Sequence, residues 1–286
     1  MARVKFAPES GRFYTSTGDP VLEVDNSSKP GETRLPTVSD AVKNNWYPSV
    51  TEVIKTMSRA GLEAWKQDHM LDIALANPFP EAGNPPIDAW PPDRIARADI
   101  WKALIFKLSE EYASAAAERG KEIHADIENY FSGTMPVDPA SEAACNALRQ
   151  RYAGWHTIPG FRFVNAKQGY AGEMDLLVLN SAKVETATVA IVSDIKTKDV
   201  KTFSKPSIDY GLQVGAYMQY LRDYFPQITQ LTGENIIVDR QTGETLPFVW
   251  GEKWKRTQSQ PADQLSRGFL CLLGLWFITN NYRPPA

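Results

Sequence analysis

Two short segments, AGEMDLLVL at 171–179 and VSDIKTK at 192–198, constrain this chain more than any other feature. Each has the make-up of a β-strand with a carboxylate set into a run that is otherwise apolar. Strand side chains alternate between faces. Asp194 and Lys196 therefore share one face of the second segment, while Ile191, Ser193 and Ile195 take the other. In the first segment Glu173, Asp175, Leu177 and Leu179 share a face. Paired as an antiparallel hairpin, the two strands bring Asp175 beside Asp194 and Lys196. Two carboxylates and an ammonium crowded on one sheet face are costly to desolvate unless something compensates them. A hard divalent cation with oxygen ligands compensates well, so the pattern points to phosphodiester hydrolysis.

The rest of the chain reads as an α/β protein. Residues 12–24 suit a hairpin with its turn at Gly18-Asp19-Pro20, and 25–37, rich in Ser, Pro, Gly and Lys, suit a loop. Ser49 can cap a helix over 50–58, and a second helix is expected from Gly61 to about Leu75. The stretch 77–93 has many prolines and no periodicity, which marks a loop or linker. A long helical pattern follows from Asp93 to Phe131 with a break expected near Gly120, then a helix over 140–153. Strands are expected near 161–165, 171–179 and 187–197, a helix over 207–224, strands at 235–239 and 246–250, and a helix over 262–279. This order predicts a mixed central β-sheet flanked by helices, with a helical N-terminal extension over 1–93 and a core over 94–286.

Composition narrows the function classes. With 286 residues, 43% of them hydrophobic, the chain can bury one large core or a domain with a substantial extension. A net charge of −3 means that any nucleic-acid surface is local rather than global. The longest apolar run, Gly268–Ile278, is too short to span a bilayer, so no membrane partner is expected. MARVKFAPESGRFY lacks the apolar core of a signal peptide. Cys145 and Cys271 stand far apart with no C-x-x-C, which suggests a reducing cytoplasm and gives no structural zinc.

Four motifs stand in order along the chain. They are GKEIHADIENYF at 120–131 with Gly120 and His124, Gly172 to Asp175, Asp194-Ile195-Lys196, and Gln213 to Tyr217 in GLQVGAYMQYL. Together they resemble the PD-(D/E)XK nuclease superfamily in its RecB-like branch, which includes many phage exonucleases. The resemblance covers roughly 110–225, and WYPSVTEVI at 46–54 looks like an entry segment of phage members. The chain departs from the family's name in having Met174 where the proline stands, and its second acid is Asp194 rather than Glu.

The resemblance implies a restriction-endonuclease-like core and a DNA nuclease dependent on Mg²⁺ or Mn²⁺. Asp175, Asp194, the backbone carbonyl of Ile195 and His124 would be the metal ligands. Lys196 would orient or deprotonate the attacking water. Orientation and charge stabilisation are favoured, because a lysine among carboxylates stays protonated. Gln213 would bond a phosphate or a ligand water, and Tyr217 would stack on a base or orient Lys196. Glu128, one helical turn from His124, either binds a second cation, holds a ligand water or lies on a wet helix face. Glu173 is either an extra ligand or the strand's wet edge. With two cysteines the chain cannot hold the four-cysteine iron–sulfur cluster that some relatives carry.

Lys198, Lys201 and Lys205 follow the active strand, and Lys253, Lys255 and Arg256 cluster with Trp250 and Trp254. Basic residues among aromatics suit a nucleic-acid backbone with stacked bases. In RecB-like exonucleases leading helices arch over the site and admit only a strand end. Trp46, Tyr47, Trp65, Trp90 and Trp101 would then either line that passage or fill the core of the extension. His69 and His156 match no motif and are expected to be structural. The expectation is an exonuclease of phage recombination or repair, with a recombination protein as a possible partner. The alternatives are an endonuclease of restriction or nicking type and a non-catalytic DNA-binding module.

Overall fold

Near-continuous apolar runs of ten residues, such as Tyr170–Leu179, demand cover on both sides once they form strands. The computed structural model describes residues 12–57, 70–71, 73–76, 92–136, 138–201, 203–254 and 257–285, and it meets that demand with helices on either face of a central sheet. The N-terminal stretch supplies β1 (Phe13–Tyr14), β2 (Pro20–Val21), β3 (Val24–Asp25), β4 (Thr33–Arg34), α1 (Val38–Asn44), β5 (Tyr47–Pro48) and α2 (Val50–Ile54). Helices α3 (Pro92–Phe131) and α4 (Pro139–Arg151) lead to β6 (His156–Asn165), β7 (Tyr170–Leu179) and β8 (Val189–Lys198). Then come α5 (Ile208–Tyr224), β9 (Gln230–Asp239), β10 (Thr245–Val249), the short pair β11 (Lys253–Trp254) and β12 (Thr257–Gln258), and α6 (Ala262–Thr279).

The main sheet has five strands in the order β10-β9-β8-β7-β6. Its neighbours are antiparallel except β8 and β9, which run parallel through all ten residues of each. A parallel pair needs a crossover, and α5 supplies it. Alternation along the strands sorts the core into two layers. Leu177, Leu179, Ala190 and Val192 pack toward α5 and α6, with Leu212, Val214, Phe269 and Leu273. Leu176, Val178, Ile195, Ile236 and Val238 pack toward α3 and α4, with Ile123, Ile127, Ala144 and Leu148.

The chain divides into two compact units, Met1–Met57 with Lys121–Ala286, and Ser58–Gly120. This departs from the boundary expected at residue 93. The N-terminal hairpin belongs with the sheet because Phe13 and Val50 enter its main core and Ser49 bridges to Ala171 of β7. Helix α3 also runs past Gly120 without the expected break, since one glycine costs a helix only about 1 kcal/mol. The expected loop over 25–37 contains β4, which pairs back onto β3 at its start. The helix expected over 50–58 ends at Ile54. Strand β6 begins at His156 rather than 161. Of the helix expected over 61–75, the described residues 70–71 and 73–75 are helical. Residues 77–91, with Trp90, lie outside the description, as do Trp65 and His69. Among the described residues no helix is long and apolar enough to cross a membrane.

Helix α6 lies close against α5, where Ser266 Oγ donates to the Gly215 carbonyl at 2.8 Å. A Cβ at Gly215 would stand 2.6 Å from the Leu265 carbonyl carbon and 2.7 Å from Ser266 N. Backbone cannot give way as a flexible side chain does. Gly215→Ala should therefore lose about 1–3 kcal/mol by overpacking, despite a better helix propensity. Urea denaturation checks this, and a variant as stable as the parent would contradict the close approach.

Candidate functional site

The β7–β8 ladder stops at Leu176 opposite Ser193, one residue short of Asp175 and Asp194. The backbone donor freed there is not left unpaired: Ile195 N–H donates to Asp175 Oδ2 at 2.6 Å. On the other side of β7, β6 pairs Pro159 with Leu176 and Phe161 with Met174. Between them Gly160 has φ +56°, which interrupts the pleat opposite Asp175. The sheet is thus opened around Asp175 from both sides. The expected meeting of Asp175, Asp194 and Lys196 is present, with Lys196 Nζ 2.8 Å from Asp194 Oδ2 and 3.0 Å from Oδ1. The Ile195 side chain turns into the α3–α4 layer, so only its main chain faces the site.

Three helices wall the site. His124 of α3 places Nδ1 3.7 Å from Asp175 Oδ2. Gln213 and Tyr217, one turn apart on α5, are joined by a Gln213 Nε2–H bond to the Tyr217 hydroxyl at 2.7 Å. Ser49, Val50 and Thr51, from the start of α2, line the same space. Together with Glu128 and Glu173 these residues border a cleft of about 320 Å³ with Asp175 and Lys196 at its wall.

Burial sets the charge states. It pushes the Asp194 carboxyl up to about 6, opposed by Lys196 and reinforced by Asp175. It raises Asp175 too, against the pull of Lys196 and the Ile195 N–H. Burial works against the Lys196 ammonium, but Asp194 and Asp175 outweigh it and hold the group above its ordinary value. His124 falls to about 4, first by burial and then by the Lys196 charge, so its imidazole is neutral at pH 7. One buried and one half-buried carboxylate beside a neutral imidazole are oxygen and nitrogen donors of the kind that could hold Mg²⁺ or Mn²⁺. Among the described residues no three His, Cys, Asp or Glu side chains already form a metal-holding group. Lys196 occupies the space beside Asp194, and a cation would have to take its place there.

Other expected residues sort differently. Tyr217 is only 3% exposed and packs edge-on to Phe163, with ring centroids 5.8 Å apart, so it has no face to offer a base. The ring beside Lys196 Nζ is instead Tyr210, 5.4 Å away. Glu173 is engaged by Arg162 Nε at 3.1 Å and is no free ligand. Glu128 borders the cleft on the same side as Glu173. Lys198, Lys201 and Lys205 are all exposed. In the second basic cluster Lys253 is exposed, but Trp250 is not the stacking residue expected, since it is buried and donates from Nε1 to Asn235 Oδ1 at 2.7 Å. Lys255 and Arg256 lie outside the described residues. Tyr47 is buried beside Tyr14, and Trp46 packs against the main core, so both fill core rather than line a passage. His156 is exposed at the start of β6. Sequence reasoning missed Asn235, Tyr210 and Arg162. Only Arg162, opposite Glu173 across a hairpin, carried a local signal.

No family model matches the chain, and no curated protein matches it. Solved structures do match, among them the crystal structure of SSO0001, at 14% identity over 77% of this chain and 89% of that one, with a TM-score of 0.32.

The raised Asp194 pKa has a thermodynamic consequence with a definite sign. A carboxyl whose folded pKa exceeds its unfolded one contributes stability below the unfolded value and loses it as pH rises through the folded value. For Asp194 the loss runs from about pH 4 to above 6. His124, lowered to about 4, acts oppositely, adding stability as pH rises over nearly the same interval. Comparing Tm in EDTA for the parent and Asp194→Asn isolates the carboxyl. The stability of the parent relative to the variant should fall between pH 4 and 7, and parallel curves would contradict a buried acid with a raised pKa.

Proposed function

We propose that the protein is a Mg²⁺- or Mn²⁺-dependent deoxyribonuclease of the PD-(D/E)XK type, in its RecB-like branch. On this reading it acts in the cytoplasm as an exonuclease of phage-type recombination or repair. The observation that carries it is the convergence of Asp175, Asp194 and Lys196 on one sheet face, where the β7–β8 ladder opens beside a cleft. A surface salt bridge would not require Asp194 to be fully buried on the central strand of a five-stranded sheet, with Asp175 half-buried on the strand beside it.

Asp175 and Asp194 would hold the cation through their carboxylates, and His124 through a ring nitrogen. When bound, the cation supplies Lewis acidity toward the phosphoryl group. Lys196, kept charged by its two acidic neighbours, donates hydrogen bonds to a phosphate oxygen and to the attacking water. With its pKa held above its ordinary value, it would orient that water rather than take its proton. Gln213 has its amide nitrogen tied to Tyr217, which leaves its carbonyl to accept from water in the cleft. Lys198, Lys201 and Lys205 offer a local positive surface to the DNA backbone, which a chain of net charge −3 needs.

The test is degradation of end-labelled linear DNA with Mg²⁺ and with EDTA, beside covalently closed circles of the same sequence. Linear DNA should be lost only with the cation, and the circles should survive. Asp194→Asn should cut the rate by about a hundredfold or more. Lys196→Ala should lose turnover while still binding Mn²⁺ by calorimetry. Hydrolysis unchanged in Asp194→Asn would sink the assignment. Circles cut as fast as linear DNA would make the enzyme an endonuclease.

A further inference from the structure

Asp194 does not stand alone with its lysine. The parallel register of β8 on β9 sets Asp194 directly beside Asn235, so the two side chains share a face. Asn235 is fully buried and donates from Nδ2 to Asp194 Oδ2 at 2.6 Å. Its Oδ1 accepts from Trp250 Nε1 at 2.7 Å. An amide could ordinarily be turned over to present either end. Here it cannot, because an indole N–H only donates. The oxygen must face Trp250, and the NH₂ must face Asp194. The indole is itself fixed, packed T-shaped on Phe248 at 4.9 Å and seated over Gly211 of α5. A Cβ at Gly211 would stand 2.8 Å from that ring.

From this chain of contacts, and resting on the cation-dependent reading above, we infer that Asn235 is a positioning residue for Asp194, locked in orientation by Trp250. It commits Oδ2 to a fixed donor, which leaves Oδ1 as the oxygen offered to a cation once Lys196 withdraws. It also fixes the plane of the carboxylate before any ligand arrives. Outer partners that orient a metal ligand are typically worth about 10–100-fold in affinity or activity.

Two substitutions test this. Asn235→Asp keeps the shape and still accepts from Trp250, but it faces Asp194 with an oxygen in place of a donor. Trp250→Phe keeps most of the ring and removes the N–H that locks the amide. Calorimetric titration with Mn²⁺, alongside circular dichroism and thermal melts, reads both. Asn235→Asp should weaken Mn²⁺ binding about 10–100-fold, with a parallel rise in the Mn²⁺ concentration needed for half-maximal DNA cleavage. Trp250→Phe should weaken it less. The double variant should bind no worse than Asn235→Asp alone, because two residues acting in series do not add. Parental Mn²⁺ affinity in a folded Asn235→Asp, or additive losses in the double variant, would overturn the inference and leave the pair a structural contact. Should Asn235→Asp fail to fold, parental affinity in Trp250→Phe overturns it equally. A parent protein that binds no Mn²⁺ would instead bring down the cation-dependent reading, and this inference with it.

Discussion

The pair formed by Lys196 and Asp194 is the interaction on which the rest of the site depends. The Asp194 side chain is 1% exposed, and Lys196 Nζ lies 2.8 Å from it. Taking two such charges out of water costs several kcal/mol per ion, and a well-packed apolar pair would serve folding as well or better. The sheet nevertheless supports this pair on all sides. Asn235 of β9 and the Trp250 behind it, just past the end of β10, hold the acid. Asp175 adds a second negative charge, itself tied to the Ile195 N–H. Tyr210 of α5 places its ring beside the ammonium. An arrangement that is poor for stability and yet so fully supported is the basis of the catalytic role proposed above.

The polar groups around this pair are themselves bonded. On the face opposite Asp194, Ser193 and Glu234 meet the Tyr152 hydroxyl, and Arg151 pairs with Glu234. Those bonds satisfy the polar groups on that side of β8 and β9, as a buried network must. The parallel β8–β9 ladder runs on past the point where β7 lets go, so Asp194 and Lys196 stay on a rigid strand while Asp175 faces an opening. Gly160 opens the other side, and a side chain there would come within 3.2 Å of Glu173.

Much of this was legible in local sequence. Alternation in AGEMDLLVL and VSDIKTK placed Asp175, Asp194 and Lys196 on a shared face, and the i,i+4 spacing joined Gln213 to Tyr217. What local pattern could not supply was anything set by the parallel register. Asn235 reaches Asp194 only after α5 has crossed over, and nothing in NIIVD announces which residue will land there. Trp250 read as an exposed stacking residue because basic residues follow it. Its burial depends on Gly211, far away in the chain. The early start of β6 was hidden by Pro159 and Gly160, which look like a turn. An edge strand tolerates both. Tyr217 looked available to a base because its neighbour Phe163 arrives from β6.

The most direct test of the central claim is where a cation goes. Crystals grown with Mn²⁺ would give an anomalous difference map that marks the metal independently of activity. The account predicts one strong peak bound by carboxylate oxygens of both Asp175 and Asp194, with Lys196 drawn away from Asp194. A peak elsewhere, or no peak with the Lys196–Asp194 pair intact, would contradict it.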